Sequence, residues 1–361
     1  MSQIAIPYYF FRGGTSRGPF FNRADLPDDR EAISRVLIAA LGSGHILNID
    51  GIGGGNAVTT KVAILSKSTE ESVDVDYLFA QVGVTNRQVD FKPTCGNMMV
   101  AVGPAAIEMG LVEAQQKTTD VSIRAVNTGA RVIAKVQTPD GQVCYEGDTH
   151  VDGVPGTAAA IELDFQDVVG AATGKLLPTG NPVDEVEGVK VTCMDVAMPM
   201  VIAQAESFGL TGAESAEELN ADRDFFSRME SVRLTAAKLM GMGDCSNSVT
   251  PKFGLVSKAV DGGSLQVRYF MPWEAHPALA VTGSQCLCAC ALTPGTVAAG
   301  LLRQDTRSPA RMQLEHPMGA MEVVMKFNRS GNDIQHQSAG IIRTARKIAR
   351  GEVFVPASVV R

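Results

Sequence analysis

Two stretches decide how this chain is organised: Val58-Thr-Thr-Lys-Val-Ala-Ile-Leu-Ser-Lys67 and Val249-Thr-Pro-Lys-Phe-Gly-Leu-Val-Ser-Lys258. Five of the ten positions are identical, and most of the rest exchange one apolar residue for another. Lys61 falls opposite Lys252. Downstream, Tyr77-Leu-Phe matches Tyr269-Phe270, and Pro93-Thr-Cys-Gly-Asn97 falls opposite Val281-Thr-Gly-Ser-Gln285. A long run of small and apolar residues follows each of these turns. Upstream, residues 20–42 and 201–241 both read as a strand, an acidic helix start and an amphipathic helix. The matched elements keep their order at an offset of about 190 residues, which predicts two copies of one domain rather than a short-period solenoid. The expected division is 1–184 and 185–361, with the Gly-, Pro- and Thr-rich stretch 170–188 as the crossing between halves.

Apolar or alternating runs predict strands at 62–65, 75–84, 121–126, 132–136, 191–194, 201–205, 253–256 and 265–270. Helices are expected at 29–41, 97–109, 221–240, 284–291 and 338–350, the last packing on either half. The segments 97–109 and 284–291 have almost no polar face, so each reads as a buried helix around which its half wraps a sheet, an α+β arrangement.

At 361 residues, with 45% hydrophobic and 20% charged residues, the chain is long enough for two globular domains and is neither disordered nor fibrous. A net charge of −7 without a long basic run argues against nucleic acid or an anionic membrane as partner. No apolar stretch is long enough to span a bilayer. The first residues lack the pattern of a signal peptide, and seven cysteines are expected to stay reduced, so a cytoplasmic location is expected.

Thr94-Cys-Gly-Asn97 and Thr282-Gly-Ser-Gln285 place small and polar residues at two helix starts. Such starts leave backbone N–H groups unpaired and suit carboxylates or phosphates. If the copies close around a cleft, Gly96, Asn97, Thr282, Gly283 and Ser284 would cradle a small molecule with at least two carboxylates. Cys95, a thiol at a helix start, is a candidate proton carrier. Lys61 interrupts an apolar strand, where burial favours the neutral amine and so a base. Lys252 would then be a carboxylate counter-ion. Thr15, Ser16 and Arg17, in the glycine-rich turn 12–18, offer hydroxyls and a guanidinium to a carboxylate. His276 either binds a substrate carboxylate or caps a turn. The run Gly51-Ile-Gly-Gly-Gly-Asn56 precedes a strand rather than a helix, so it does not read as a dinucleotide loop. Cys286, Cys288 and Cys290 lack zinc-ligand spacing, and no metal is expected. The other histidines, 45, 150, 316 and 336, read as surface or loop residues.

The motifs RGGTSRG at 12–18, DGIGGGNAVTTKVAI at 50–64, PTCGNMMVAVGP at 93–104, GDTHVDGVPGT at 147–157, HPALAVTGS at 276–284 and RTARKIARGEVFVP at 343–356 together resemble the PrpF family, which is related to diaminopimelate epimerase. The resemblance implies the diaminopimelate epimerase-like fold, with the site between two similar α+β domains. It implies an isomerase that moves a double bond in a small di- or tricarboxylate without a cofactor. Its known activities are 4-oxalomesaconate tautomerisation and methylaconitate and methylitaconate isomerisation. It places the proton-transfer pair on Lys61 and Cys95, and adds Asn56 and Met98 to the candidate substrate contacts. The related racemases carry a cysteine at both helix starts. Here Gly283 stands at the second, which argues against a two-thiol racemase. Expected partners are the carboxylate substrate and, as an assembly, a homodimer. A non-catalytic tricarboxylate-binding protein is the rival reading.

Overall fold

The computed structural model describes residues 3–271, 273–302, 307–331 and 333–360. The chain forms two compact units, residues 1–164 with 342–361, and residues 165–341. Residues 165–184 therefore belong with the second unit, and the last twenty residues return to the first.

In the first unit, strands Gln3–Gly13 and Ser16–Asn22 pair antiparallel, and helix Arg30–Leu41 follows. Asp29 caps that helix by accepting the Ala32 N–H, and Gly42 ends it in the left-handed conformation at φ 69°. Strand Lys61–Lys67 then runs parallel to Ser16–Asn22 and antiparallel to Val75–Val82. Strand Lys117–Ala125 lies parallel to Val75–Val82 and antiparallel to Arg131–Thr138. Between them the chain folds into short helices Gly96–Val100 and Val102–Glu108, whose residues from Met98 to Ala106 are buried. The single helix expected at 97–109 is thus two, meeting at Ala101.

The second unit repeats the pattern. Val189–Asp195 pairs antiparallel with Pro199–Gln204, and helix Arg223–Leu239 follows. Lys252–Ser257 runs parallel to Pro199–Gln204 and antiparallel to Leu265–Phe270. After helix Val281–Leu292, strand Ala310–His316 lies parallel to Leu265–Phe270 and antiparallel to Gly319–Ser330. Every strand direction matches its counterpart in the first unit, as a duplicated domain requires. Gly283 to Leu292 are all buried, Cys286, Cys288 and Cys290 among them. An apolar helix with no polar face is held by enclosure on all sides.

One helix expectation fails. Residues 338–350 lie in the long strand Asp333–Pro356. Its first part pairs with Gly319–Ser330 and its last part with Gln3–Gly13, so tertiary pairing overrides a helix-like spacing of Ala, Ile, Lys and Arg. His336 lies on this strand and is buried rather than on the surface.

Candidate active site

Strand register fixes which residues of the first unit look at the buried helix pair. Side chains alternate between faces along a strand. Phe11 and Gly13 face the helices, and their partners Gly18 and Ser16 do so with them. On the neighbouring strands the same face carries Lys61 and Ala63, and then Tyr77, Phe79 and Gln81. Arg12 and Arg17 pair with each other on the opposite face.

Lys61 Nζ lies 3.5 Å from Cys95 Sγ and 5.5 Å from the centre of the Phe79 ring. Cys95 is the residue before the first helical turn, with φ −133° and no side-chain cap bond, so its thiol is left for Lys61. Its carbonyl accepts the Met99 N–H at 2.9 Å and the Tyr77 hydroxyl at 3.3 Å. Burial, with Cys95 adding to it, raises the Tyr77 pKa well above the usual phenol value, so Tyr77 stays a donor. Because Met99 makes the first bond of the helix, the N–H groups of Gly96, Asn97 and Met98 fall outside its ladder.

The glycine-rich turn serves close approach. A Cβ on Gly14, at φ +49°, would sit 2.1 Å from Asn97 Oδ1, and one on Gly18 would sit 1.7 Å from the Lys61 carbonyl oxygen. Hydrogens alone fit there. Asn97 Nδ2 donates to Thr15 Oγ1 at 3.1 Å, tying the turn to the helix start.

The remaining candidates in this unit divide. Arg17 lies on the far face, its guanidinium 6.0 Å from the Phe10 ring, and is not brought to Lys61 and Cys95. Ser16 is buried, and so is the Met98 side chain, which leaves Met98 only its N–H to offer. Asn56 Oδ1 accepts the Val58 N–H at 3.0 Å within its own turn.

The second unit assembles its own group. Lys252 begins its strand as Lys61 does, and burial followed by the charge of Arg233 lowers its pKa. The His276 N–H bonds the Tyr269 carbonyl at 2.8 Å, and its Nδ1 accepts the Ala278 N–H at 2.9 Å. That bond places the proton of the neutral ring on Nε2, as a donor. Burial is the main cause of the lowered His276 pKa, and Lys252 adds to the lowering. The Tyr269 hydroxyl donates to Met198 Sδ at 3.2 Å, and Thr282 Oγ1 lies 3.7 Å from the same sulfur. Gly283 is required because a Cβ there would lie 2.3 Å from the Tyr269 ring. Ser284 is a correction: its N–H bonds Ala280 O at 2.9 Å and its hydroxyl bonds Val281 O at 2.7 Å, so neither remains for a ligand.

Sequence reasoning missed Tyr77, Phe79, Tyr269 and Met198. The tyrosines were visible as a matched pair in the repeat but read only as strand ends. Among the described residues no group of three or more His, Cys, Asp or Glu is placed to hold a metal ion.

A family model described as PrpF protein matches residues 3–356. The chain is 48% identical over 351 residues to an Escherichia coli (strain K12) protein named "Putative isomerase YbhH", covering 97% of this chain and 99% of that one. It is 43% identical over 355 residues to 4-oxalomesaconate tautomerase of Pseudomonas putida, covering 98% and 97%. The crystal structure of a methylitaconate-delta-isomerase superposes with a TM-score of 0.91 at 34% identity, covering 100% of this chain and 98% of that one. A probable proline racemase from Agrobacterium radiobacter K84, at 14% identity and TM-score 0.50 over 96% and 92% of the two chains, shares the epimerase-like fold alone.

Proposed function

The chain belongs to the PrpF family and is an isomerase, and from that premise we propose that it moves a carbon–carbon double bond in an unsaturated tricarboxylate of the 4-oxalomesaconate type. The observation that carries this reading is the 3.5 Å approach of Lys61 Nζ to Cys95 Sγ. A 1,3-shift needs one group to take a proton from carbon and another to return one two atoms away.

Lys61 takes the proton from the carbon next to a carboxylate or keto group. The C–H pair of electrons flows into the conjugated system and gives a dienolate. Cys95 gives its thiol proton to the far carbon, closing the new C–H bond. Lys61 is then an ammonium and Cys95 a thiolate, and one proton passing between the neighbours resets both. In the reverse direction their roles exchange. The N–H groups of Gly96, Asn97 and Met98 stabilise the dienolate oxygen. The Thr15 hydroxyl binds a carboxylate beside them. No cofactor enters the scheme.

Incubation with 4-oxalomesaconate in D₂O tests it. The expected result is deuterium at the allylic carbon, with slower exchange for methylaconitate and methylitaconate. Tight binding of 4-oxalomesaconate with exchange into none of the three would overturn catalysis in favour of sequestration. A cytoplasmic location fits the seven free cysteines, which an oxidising compartment would tend to pair. Among the described residues, no helix is long and apolar enough to cross a membrane.

A further inference from the structure

The sequence offered Arg17 as the guanidinium for a substrate carboxylate, and the register turns Arg17 away. The face that looks at the buried helices carries a different arginine. Strand Asp333–Pro356 pairs with Gln3–Gly13, with a register shift at Phe10/Phe11. Beyond that shift, Lys347 lies opposite Phe11 and Ala345 opposite Gly13, so both face the helices. Lys347 confirms it, its Nζ reaching Glu108 at the end of the second short helix at 2.6 Å. Ala345 sits across from Gly13, whose missing Cβ would meet the Asn97 carbonyl at 2.2 Å. Two residues further along the same face, about 7 Å, comes Arg343. The strand thus runs from the far end of the helix pair at Lys347 to the Cys95–Asn97 end at Arg343.

A second line agrees with this placement. Burial lowers the Arg343 pKa, and the Asp152 carboxylate opposes that lowering. Its neighbour Gly153 leaves room for the Thr15 methyl, which lies 3.2 Å from where a Cβ would stand. Thr15 in turn accepts from Asn97. Arg343, Asp152, Thr15 and Asn97 therefore share one corner of the first unit.

The guanidinium is under-used. Its one hydrogen bond among the described residues is from Nη1 to the carbonyl of its own neighbour Ile342, at 2.9 Å, and no carboxylate forms an ion pair with it. Buried structural arginines in this protein look otherwise. Arg233 holds Glu230 through two nitrogens and three backbone carbonyls besides. A planar fork largely removed from water and left with most of its donors open suits a planar carboxylate.

We infer that Arg343 is a substrate-binding residue, taking one carboxylate of the tricarboxylate beside Thr15 and Asn97. This rests on the isomerase reading of Lys61 and Cys95. Asp152, on the loop that contains the GDTHVDGVPGT motif, serves as a partial counter-ion before substrate arrives.

The experiment measures kcat and KM for 4-oxalomesaconate, with deuterium exchange as a separate readout, in the wild type, Arg343→Gln, Arg343→Lys and Asp152→Asn. Loss of a charge-assisted pair should raise KM for Arg343→Gln roughly ten- to hundredfold, with kcat within about threefold. Arg343→Lys should recover part of the loss, since a point charge replaces a fork. Asp152→Asn, which removes the carboxylate that competes with substrate for Arg343, should lower KM. An unchanged KM in Arg343→Gln would overturn the assignment. So would an Asp152→Asn that copies Arg343→Gln, which would make the arginine a structural partner of that loop. Absence of exchange in the wild type would instead overturn the isomerase reading.

Discussion

The Tyr77 hydroxyl donates to the backbone carbonyl of Cys95 at 3.3 Å, from a side chain wholly out of water. The phenol thus holds the peptide group from which the reactive thiol hangs, while the Phe79 ring on the same strand lies 5.5 Å from Lys61 Nζ. Removing that one oxygen tests whether the placement matters. Tyr77→Phe should cost about 1 kcal/mol of stability and lower kcat about tenfold with KM little changed. Thermal unfolding and initial rates separate the two effects.

Lys61→Ala and Cys95→Ser should each lower turnover by roughly 10²–10⁴ while leaving the unfolding transition near that of the wild type. Deuterium exchange into substrate is the sensitive measure. A fully active Lys61→Ala would exclude that lysine as the base.

Gly18→Ala places a methyl where the Lys61 carbonyl oxygen already is, 1.7 Å from the new Cβ. Backbone rather than a flexible side chain stands in the way, so the strand carrying Lys61 must shift. About 1–3 kcal/mol of stability should be lost, together with most activity. Val260→Ala, at an exposed position in the second unit, is the control and should change neither.

Arg233 is fully buried and fixes the stretch before Lys252 through the carbonyls of Cys245, Ser248 and Pro251. Arg233→Met leaves those carbonyls unpaired and Glu230 without its partner. The expected cost is roughly 3–5 kcal/mol, read by denaturant unfolding. The Lys252 pKa should rise, because the charge of Arg233 now lowers it.

His336 gives a pH dependence. Its Nε2 meets the Thr293 hydroxyl at 3.0 Å, and burial, with Arg329 adding to it, lowers its pKa to about 4. The folded protein binds this proton less readily than the unfolded chain, whose histidine titrates near 6.5. The stabilisation is therefore complete above pH 6.5 and is lost as the pH falls toward 4, at most about 3 kcal/mol. Unfolding midpoints measured from pH 7 to 4.5 should fall more steeply in the wild type than in His336→Gln. Parallel slopes would contradict the assignment.

Lys61 and Cys95 were legible because each stands out against its surroundings, a charge in an apolar strand and a thiol in a turn of small residues, and because the repeat marked both places. The strands were legible from alternation. Residues 338–350 were not, because Ala, Ile, Lys and Arg at helical spacing satisfy either geometry. The choice was made by partners far away in sequence. Ser284 looked available because a serine at a helix start usually is; only the bonds to Ala280 and Val281 show it occupied. Arg343 lay hidden among basic neighbours, and which of them faces the helices depends on a register shift that no local pattern announces.

The strand Asp333–Pro356 has an implication for how the protein is made. Its final residues lie beside Gln3–Gly13, so that strand waits for partners more than 330 positions further along the chain before that edge is closed. Until then a row of backbone donors and acceptors stands open to any passing strand. Nascent chains halted shortly after residue 341 should accordingly be prone to clump.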